Sequence, residues 1–96
     1  MNQNTYHTIY TGTKQVTTSA AQLTTDDIPI KRSVTLLASS GNVGSIYYGN
    51  SGVAATGANE GFPLKANLGK EVKIDNVNKI YIVGQNSTDR VHWEAV

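Results

Sequence analysis

The sequence predicts an all-β fold, a small antiparallel β-sandwich or jelly-roll-like barrel with an extended N-terminal arm. Three observations predict it. Threonine is the commonest residue, with asparagine and glycine close behind, which combines a β-branched strand former with the two residues that make tight turns. Helical periodicity is almost absent. The best window, Ser19-Ala20-Ala21-Gln22-Leu23, is flanked by threonine pairs and falls far short of the ~12–15 residues an isolated helix needs. Finally, seven or so short strand-like blocks succeed one another at spacings of about 8–12 residues with turn residues between them.

Residues 1–15 read as the arm, a polar stretch whose large side chains are Tyr6, Ile9 and Tyr10. Tyr6, Thr8 and Tyr10 share one face of an extended segment. Such an arm either pairs as an edge strand of its own domain or reaches onto a neighbour. Residues 16–96 form the single globular domain, beginning at Val16-Thr17-Thr18. Thr24-Thr25-Asp26-Asp27 is a polar loop, and Ile28-Pro29-Ile30 is extended because proline restricts the residue before it.

Residues 33–39 are expected to form a central strand, apolar on both faces because Leu36 and Leu37 point opposite ways. Ser40-Gly41-Asn42-Val43-Gly44 then reads as a hairpin turn with positive φ at Gly or Asn, and residues 45–49 as the returning partner. Residues 50–61 are the longest surface loop. Pro63 stiffens the following corner, where the Phe62 ring is expected to plug one end of the core. In residues 71–75, Val72 and Ile74 alternate with Lys73 and Asp75, the first pair inward. Asp75-Asn76-Val77-Asn78 turns, residues 79–83 form a largely buried strand, and residues 84–88 turn again. Val91, Trp93 and Ala95 then share one face, with His92, Glu94 and Val96 on the other. The expected interior is Val34, Leu36, Ile46, Ile74, Ile80 and Trp93.

The 96 residues suffice for one domain. With 39% hydrophobic and 16% charged residues, the core is thin, and with no cysteine neither disulfide nor thiolate-metal staple reinforces it. Extra stability is therefore expected from oligomerisation or docking. The net charge of +1 is spread over Lys14, Lys31, Arg32, Lys65, Lys70, Lys73, Lys79 and Arg90. A nucleic-acid binder clusters such residues on one face, so no nucleic-acid partner is expected. No run approaches the ~20 apolar residues of a membrane span, and no membrane partner is expected. Met1-Asn2-Gln3-Asn4-Thr5 lacks the basic and apolar regions of a secretory signal, which points to synthesis in a cytoplasm.

Candidate chemistry is sparse. His7 and His92 are the only imidazoles. A hydrolytic site would pair His92 with Glu94 on its own face or with Asp75 on another strand, yet no serine sits in a strand–turn–helix elbow. Asp26-Asp27 supplies two carboxylates where a calcium loop uses several oxygen ligands at set offsets, so loop solvation or capping accounts for them. The glycine-containing stretches at 41–44 and 49–52 lack the Lys-Ser/Thr ending of a phosphate cradle. Asn86-Ser87-Thr88 matches a glycosylation acceptor, read here as coincidence. Tyr47, Tyr48, Tyr81 or Trp93 could stack on sugar rings if one faced outward, although Trp93 lies in phase with Val91 and Ala95 and is expected buried. No catalytic, metal or cofactor-binding residues, and no cofactor, are expected.

Several blocks taken in order are similar to those of small β-sandwich structural proteins encoded in the virion gene clusters of tailed bacteriophages. They are Pro29-x-Lys31-x-x-Val34-Thr35-Leu36, Asn42-x-Gly44-x-Ile46-Tyr47-x-Gly49, Gly61-Phe62-Pro63-Leu64, Ile74-Asp75-x-x-Asn78-x-Ile80-Tyr81 and Asp89-x-Val91. The likeness covers roughly residue 16 to the C-terminus. Its group includes capsid decoration proteins, head fibre bases and neck or tail components. One departure stands out: Lys65-Ala66-Asn67-Leu68 lengthens the turn after Leu64, where the group is expected to turn tightly into Gly-Glu.

The resemblance implies a non-enzymatic virion protein, most simply a capsid decoration or auxiliary head protein that binds and stabilises the assembled shell, located in the virion after synthesis in the host cytoplasm. A neck, tail or fibre-associated module, including a glycan-binding adsorption domain, is the alternative. The implied partner is the major capsid protein or another virion protein, with homo-oligomerisation, a trimer included, closing exposed edges. Expected partner contacts are Tyr6, Ile9 and Tyr10 in the arm, Asn50 and Ser51 in the long loop, and Lys65 and Leu68 in the lengthened turn.

Overall fold

The computed structural model describes residues 8–96; His7 and Tyr6 lie outside the described residues. The described residues form eight strands: β1 (Tyr10–Gln15), β2 (Ala21–Gln22), β3 (Val34–Ala38), β4 (Ile46–Gly49), β5 (Phe62–Leu64), β6 (Gly69–Val72), β7 (Tyr81–Gly84) and β8 (Arg90–Ala95). A 3₁₀ turn, Val77–Lys79, precedes β7. The strands form two four-stranded antiparallel sheets with orders β1-β8-β3-β6 and β2-β7-β4-β5. Strand 1 thus pairs with 8, 2 with 7, 3 with 6 and 4 with 5. This is a long ribbon of paired strands rolled onto itself, the jelly-roll arrangement of a β-sandwich.

Alternation along each strand places the core. On β3 and β8 every second residue is buried, because the inward face meets the opposing sheet and the outward face meets water. Val34, Leu36, Ile46, Ile80 and Trp93 belong to one buried cluster, and Ile74 packs against it from the margin, as the sequence pattern predicts. The β2-β7-β4-β5 sheet carries a second, smaller cluster on its outer face. There Tyr47 and Val83 are covered by Val53 from the 50–61 loop, with Ala20, Ala55 and Tyr81 around them. That cover buries Tyr47, while Tyr48 points to the opposite face and packs against the interior cluster.

Three sequence expectations change. Residues 40–44 do not close a hairpin: β3 and β4 lie in different sheets, and the loop crosses between them. Its backbone is claimed by the start of β8 instead. The Asp89 carboxylate accepts from the Val43 and Gly44 N–H groups at 2.9 and 3.0 Å, and the Asn42 amide both donates to and accepts from the Arg90 backbone. Positive φ occurs elsewhere, at Gly57 and Asn67. Secondly, β3 is central but buried on one face only. Leu37 is 44% exposed because no layer among the described residues covers the outside of the β1-β8-β3-β6 sheet. Thirdly, Phe62 does not plug the core. It is 51% exposed, since β5 is the edge of its sheet and its ring lies at the open margin of the interior.

Residues 10–15, placed in the arm by the sequence reading, are the edge strand β1, in register with β8 from Tyr10↔Ala95 to Gln15↔Arg90. Gly12 allows that pairing, because a Cβ there would come within 2.6 Å of the Trp93 indole.

Candidate docking surfaces

In this topology the connections β1–β2, β3–β4, β5–β6 and β7–β8 gather at one end of the sandwich. The β2–β3, β4–β5 and β6–β7 connections gather at the other. Hydrogen bonds follow that division. Val16 N donates to Asp89 O, Gly84 N to Thr17 O and Asn67 N to Ala38 O at the first end. At the second, Ile30 N donates to Asp75 O, Val77 N to Ile28 O and Ser33 N to Val96 O.

The expected contact residues fall into three separate patches on this frame. Ile9 and Tyr10, both exposed, stand at the start of β1, at the second end. Asn50 and Ser51 are exposed at the head of the 50–61 loop, which returns through a parallel bridge between Ala54 and Glu60. Gly49, Asn50, Gly52, Val53, Asn59, Glu60 and Gly61 line an open groove of about 310 Å³ there. Lys65 and Leu68 lie at the first end and on the opposite lateral margin. In their turn Leu68 N donates to Lys65 O, Asn67 takes a left-handed φ of 70°, and the β3 residue Ala38 bonds both Leu68 O and Asn67 N. Tyr6 lies outside the described residues. The structure therefore brings none of the three groups together; it distributes them over both ends and both margins.

A fourth feature was missed by sequence reasoning. Phe62 packs against Tyr48, ring centroids 5.6 Å apart at 54°, while Lys70 Nζ stands 5.3 Å from the Phe62 centroid. Partial burial in this corner pushes the Tyr48 hydroxyl above its ordinary pKa. The Gly-Phe-Pro-Leu block was the available signal: Pro63 marks an edge strand, and inward residues of an edge strand are only half covered.

All four strand edges are blunted. Sheet β1-β8-β3-β6 has Lys14 and Lys70 on its edge strands, in register with the core residues Val91 and Leu36, so each lysine faces the inner side. The other sheet ends on Pro63 and on the two-residue β2. Inward charges, proline and short strands each discourage pairing with a further chain.

The remaining candidates take structural roles. His92 Nδ1 lies 3.0 Å from Thr13 Oγ1, its cross-strand neighbour. Asp75 instead pairs with Lys79 at 2.7 Å, which holds its carboxyl below the usual range. Asp27 accepts from Asn76 Nδ2, and Asn76 Oδ1 in turn accepts from Ile28 N and Asn78 N. No group of three or more potential metal-ligating side chains occurs among the described residues. Tyr47 and Trp93 are 7% and 8% exposed, so neither presents a ring face to a sugar. No helix among the described residues is long and apolar enough to cross a membrane.

Comparison with known protein families, curated proteins and solved structures finds no match.

Proposed function

We propose that the chain is a non-enzymatic virion structural protein of a tailed bacteriophage, an auxiliary capsid protein that binds the outside of the assembled shell. The observation that carries this reading is the placement of exposed apolar side chains. Ile9 and Tyr10 stand at one end and margin, Phe62 and Leu68 at the opposite margin, on a body whose edges resist strand addition. A protein with separated contact patches and a stiff two-layer frame between them is suited to bridging neighbouring subunits. Jelly rolls host many unrelated functions, viral shells and lectins among them, so the fold is compatible with the reading without deciding it.

The mechanism is linkage. A protein that engages two neighbouring subunits binds only where assembly has set them side by side, and whatever binds the assembled form alone stabilises it. Closure into a trimer would cover further apolar side chains at each subunit's margins.

The test uses shells of the encoding phage prepared without this protein. The recombinant full chain should co-sediment with assembled shells, ignore unassembled capsid subunits, and raise the temperature at which the shells release DNA. Equal binding to free subunits, or no binding to shells, would refute the proposal.

A further inference from the structure

The outer face of the β1-β8-β3-β6 sheet is bare among the described residues, and register fixes which side chains stand on it. Val91, Trp93 and Ala95 of β8 are buried, so Arg90, His92 and Glu94 point outward. Pairing sets Thr13, His92, Leu37 and Gly69 in one row across the four strands. Thr11, Glu94, Thr35 and Glu71 form the next row toward the second end. Gln15, Arg90 and Ser39 form the row toward the first end.

Charge on this face is self-complementary. Arg90 and Glu94 stand at equal distances on either side of His92, ~13 Å apart along the strand. That is too far to pair within one chain, and neither makes an ion pair among the described residues. Consider a second copy laid face to face by a two-fold axis running along the Thr13–His92–Leu37 row. Each Arg90 then meets Glu94 of the other copy, twice per pair of chains. The same operation sets Gln15 opposite Thr11 and Ser39 opposite Thr35, neutral against neutral. Leu37, 44% exposed, meets its own counterpart and supplies an apolar centre. Such reciprocity, residue i on j and j on i, is what an isologous contact requires.

The remaining charged groups near this face do not oppose the arrangement. Glu71 accepts from Ser33 Oγ at 2.8 Å and falls opposite the uncharged Asn67-Leu68 stretch, which precedes Gly69 in the same column. Lys31, Arg32 and Lys73 line a polar hollow beside Glu71, beyond the Glu94 row and outside the rows that overlap. Lys65 lies past the Arg90 row, in the β5–β6 turn.

We infer that this face pairs two copies of the chain about that axis, held by two Arg90–Glu94 contacts around a Leu37 centre. The pairing is independent of the shell-binding reading and leaves both lateral margins open. Four strands up to ~20 Å long and ~4.8 Å apart offer on the order of 1,000 Å² over both copies, the weak end of specific interfaces. The dimer therefore forms reversibly as concentration rises.

Sedimentation equilibrium of the full-length chain tests this and should show a monomer–dimer equilibrium. Arg90→Glu and Glu94→Arg should each weaken dimerisation about tenfold or more, because each turns two attractive exposed pairs into two repulsive ones. The double variant Arg90→Glu/Glu94→Arg restores opposite charges across the axis and should recover the dimer. Mixing the two single variants should also give a dimer, one chain then presenting two acids and the other two bases. Leu37→Asp should abolish association. All three side chains are exposed, so the variants should melt with the wild type when dilute. Single variants that associate like the wild type, or swapped and mixed variants that fail to recover, would overturn the inference. A wild-type chain that stays monomeric, or closes into a trimer instead, refutes it whatever the variants do.

Discussion

Replacing Asp89 by asparagine tests how the loop end of this sandwich is held. Asp89 is 2% exposed, and each of its carboxylate oxygens accepts one backbone N–H, from Val43 and from Gly44. Its own carbonyl accepts from Val16 N. One side chain therefore ties the β3–β4 crossing to the β7–β8 crossing, beside the first residue of the domain core. Asparagine keeps the shape and one acceptor but turns an NH₂ group toward an N–H donor. The loss is one charge-assisted hydrogen bond, and a backbone donor is left without a partner. Together these cost about 2–4 kcal/mol. A chain of this length has about 5–14 kcal/mol in total, so the melting temperature should fall by roughly 10–25 °C. Urea unfolding followed by Trp93 fluorescence reads the change, and an unaltered m-value would confirm that both end states are preserved. A loss below about 0.5 kcal/mol, typical of an unimportant surface site, would show that this carboxylate does not hold the loop.

Two further perturbations probe the β1 edge and the Tyr48 corner. Gly12→Ala drives a methyl to within 2.6 Å of the Trp93 indole and should destabilise by about 1–3 kcal/mol while shifting Trp93 emission; Gly41→Ala, whose added Cβ meets nothing within 4 Å, is the matched control and should stay within about 0.5 kcal/mol. Tyr48 is held above the ordinary tyrosine pKa of 10.0 by partial burial. Its stabilising contribution is fully present below that value and is lost as pH rises through the folded pKa, because the unfolded chain ionises first. Urea midpoints measured through this alkaline range should fall more steeply for the wild type than for Tyr48→Phe, and equal slopes would contradict the assignment.

Much of the architecture was legible before any coordinates. The period-2 pattern of Val91-His92-Trp93-Glu94-Ala95 announces a strand with one dry face, and the same reading assigns Leu36 and Ile46 to the interior. The β3–β4 crossing was not legible. Asn and Gly in a short polar loop are equally compatible with a hairpin and with a step to the other sheet. What decides is Asp89, a residue more than forty positions away whose carboxylate captures the loop's N–H groups. Leu37 and Phe62 were misjudged for a related reason: apolar character marks a residue that can be buried, while neighbours decide whether a covering layer exists.

The function-bearing surfaces divide in the same way. Ile9, Tyr10 and Leu68 were singled out because large apolar residues in polar surroundings stand out in a linear sequence. Whether residues 10–15 belong to a free arm or to the domain could not be read there; their register with β8 makes them β1, one of the four strands of a sheet. Lys14 and Lys70 read as ordinary solvated charges until register places them inward on edge strands.

By itself the sequence determined the all-β class, the alternation and the six residues expected at the centre of the core, because those follow from local sterics and from which side chains water rejects. Tertiary structure alone decided strand order, which loops cross between sheets, and which apolar groups stay wet. Those depend on contacts between residues far apart in the chain, where no local pattern records the partner.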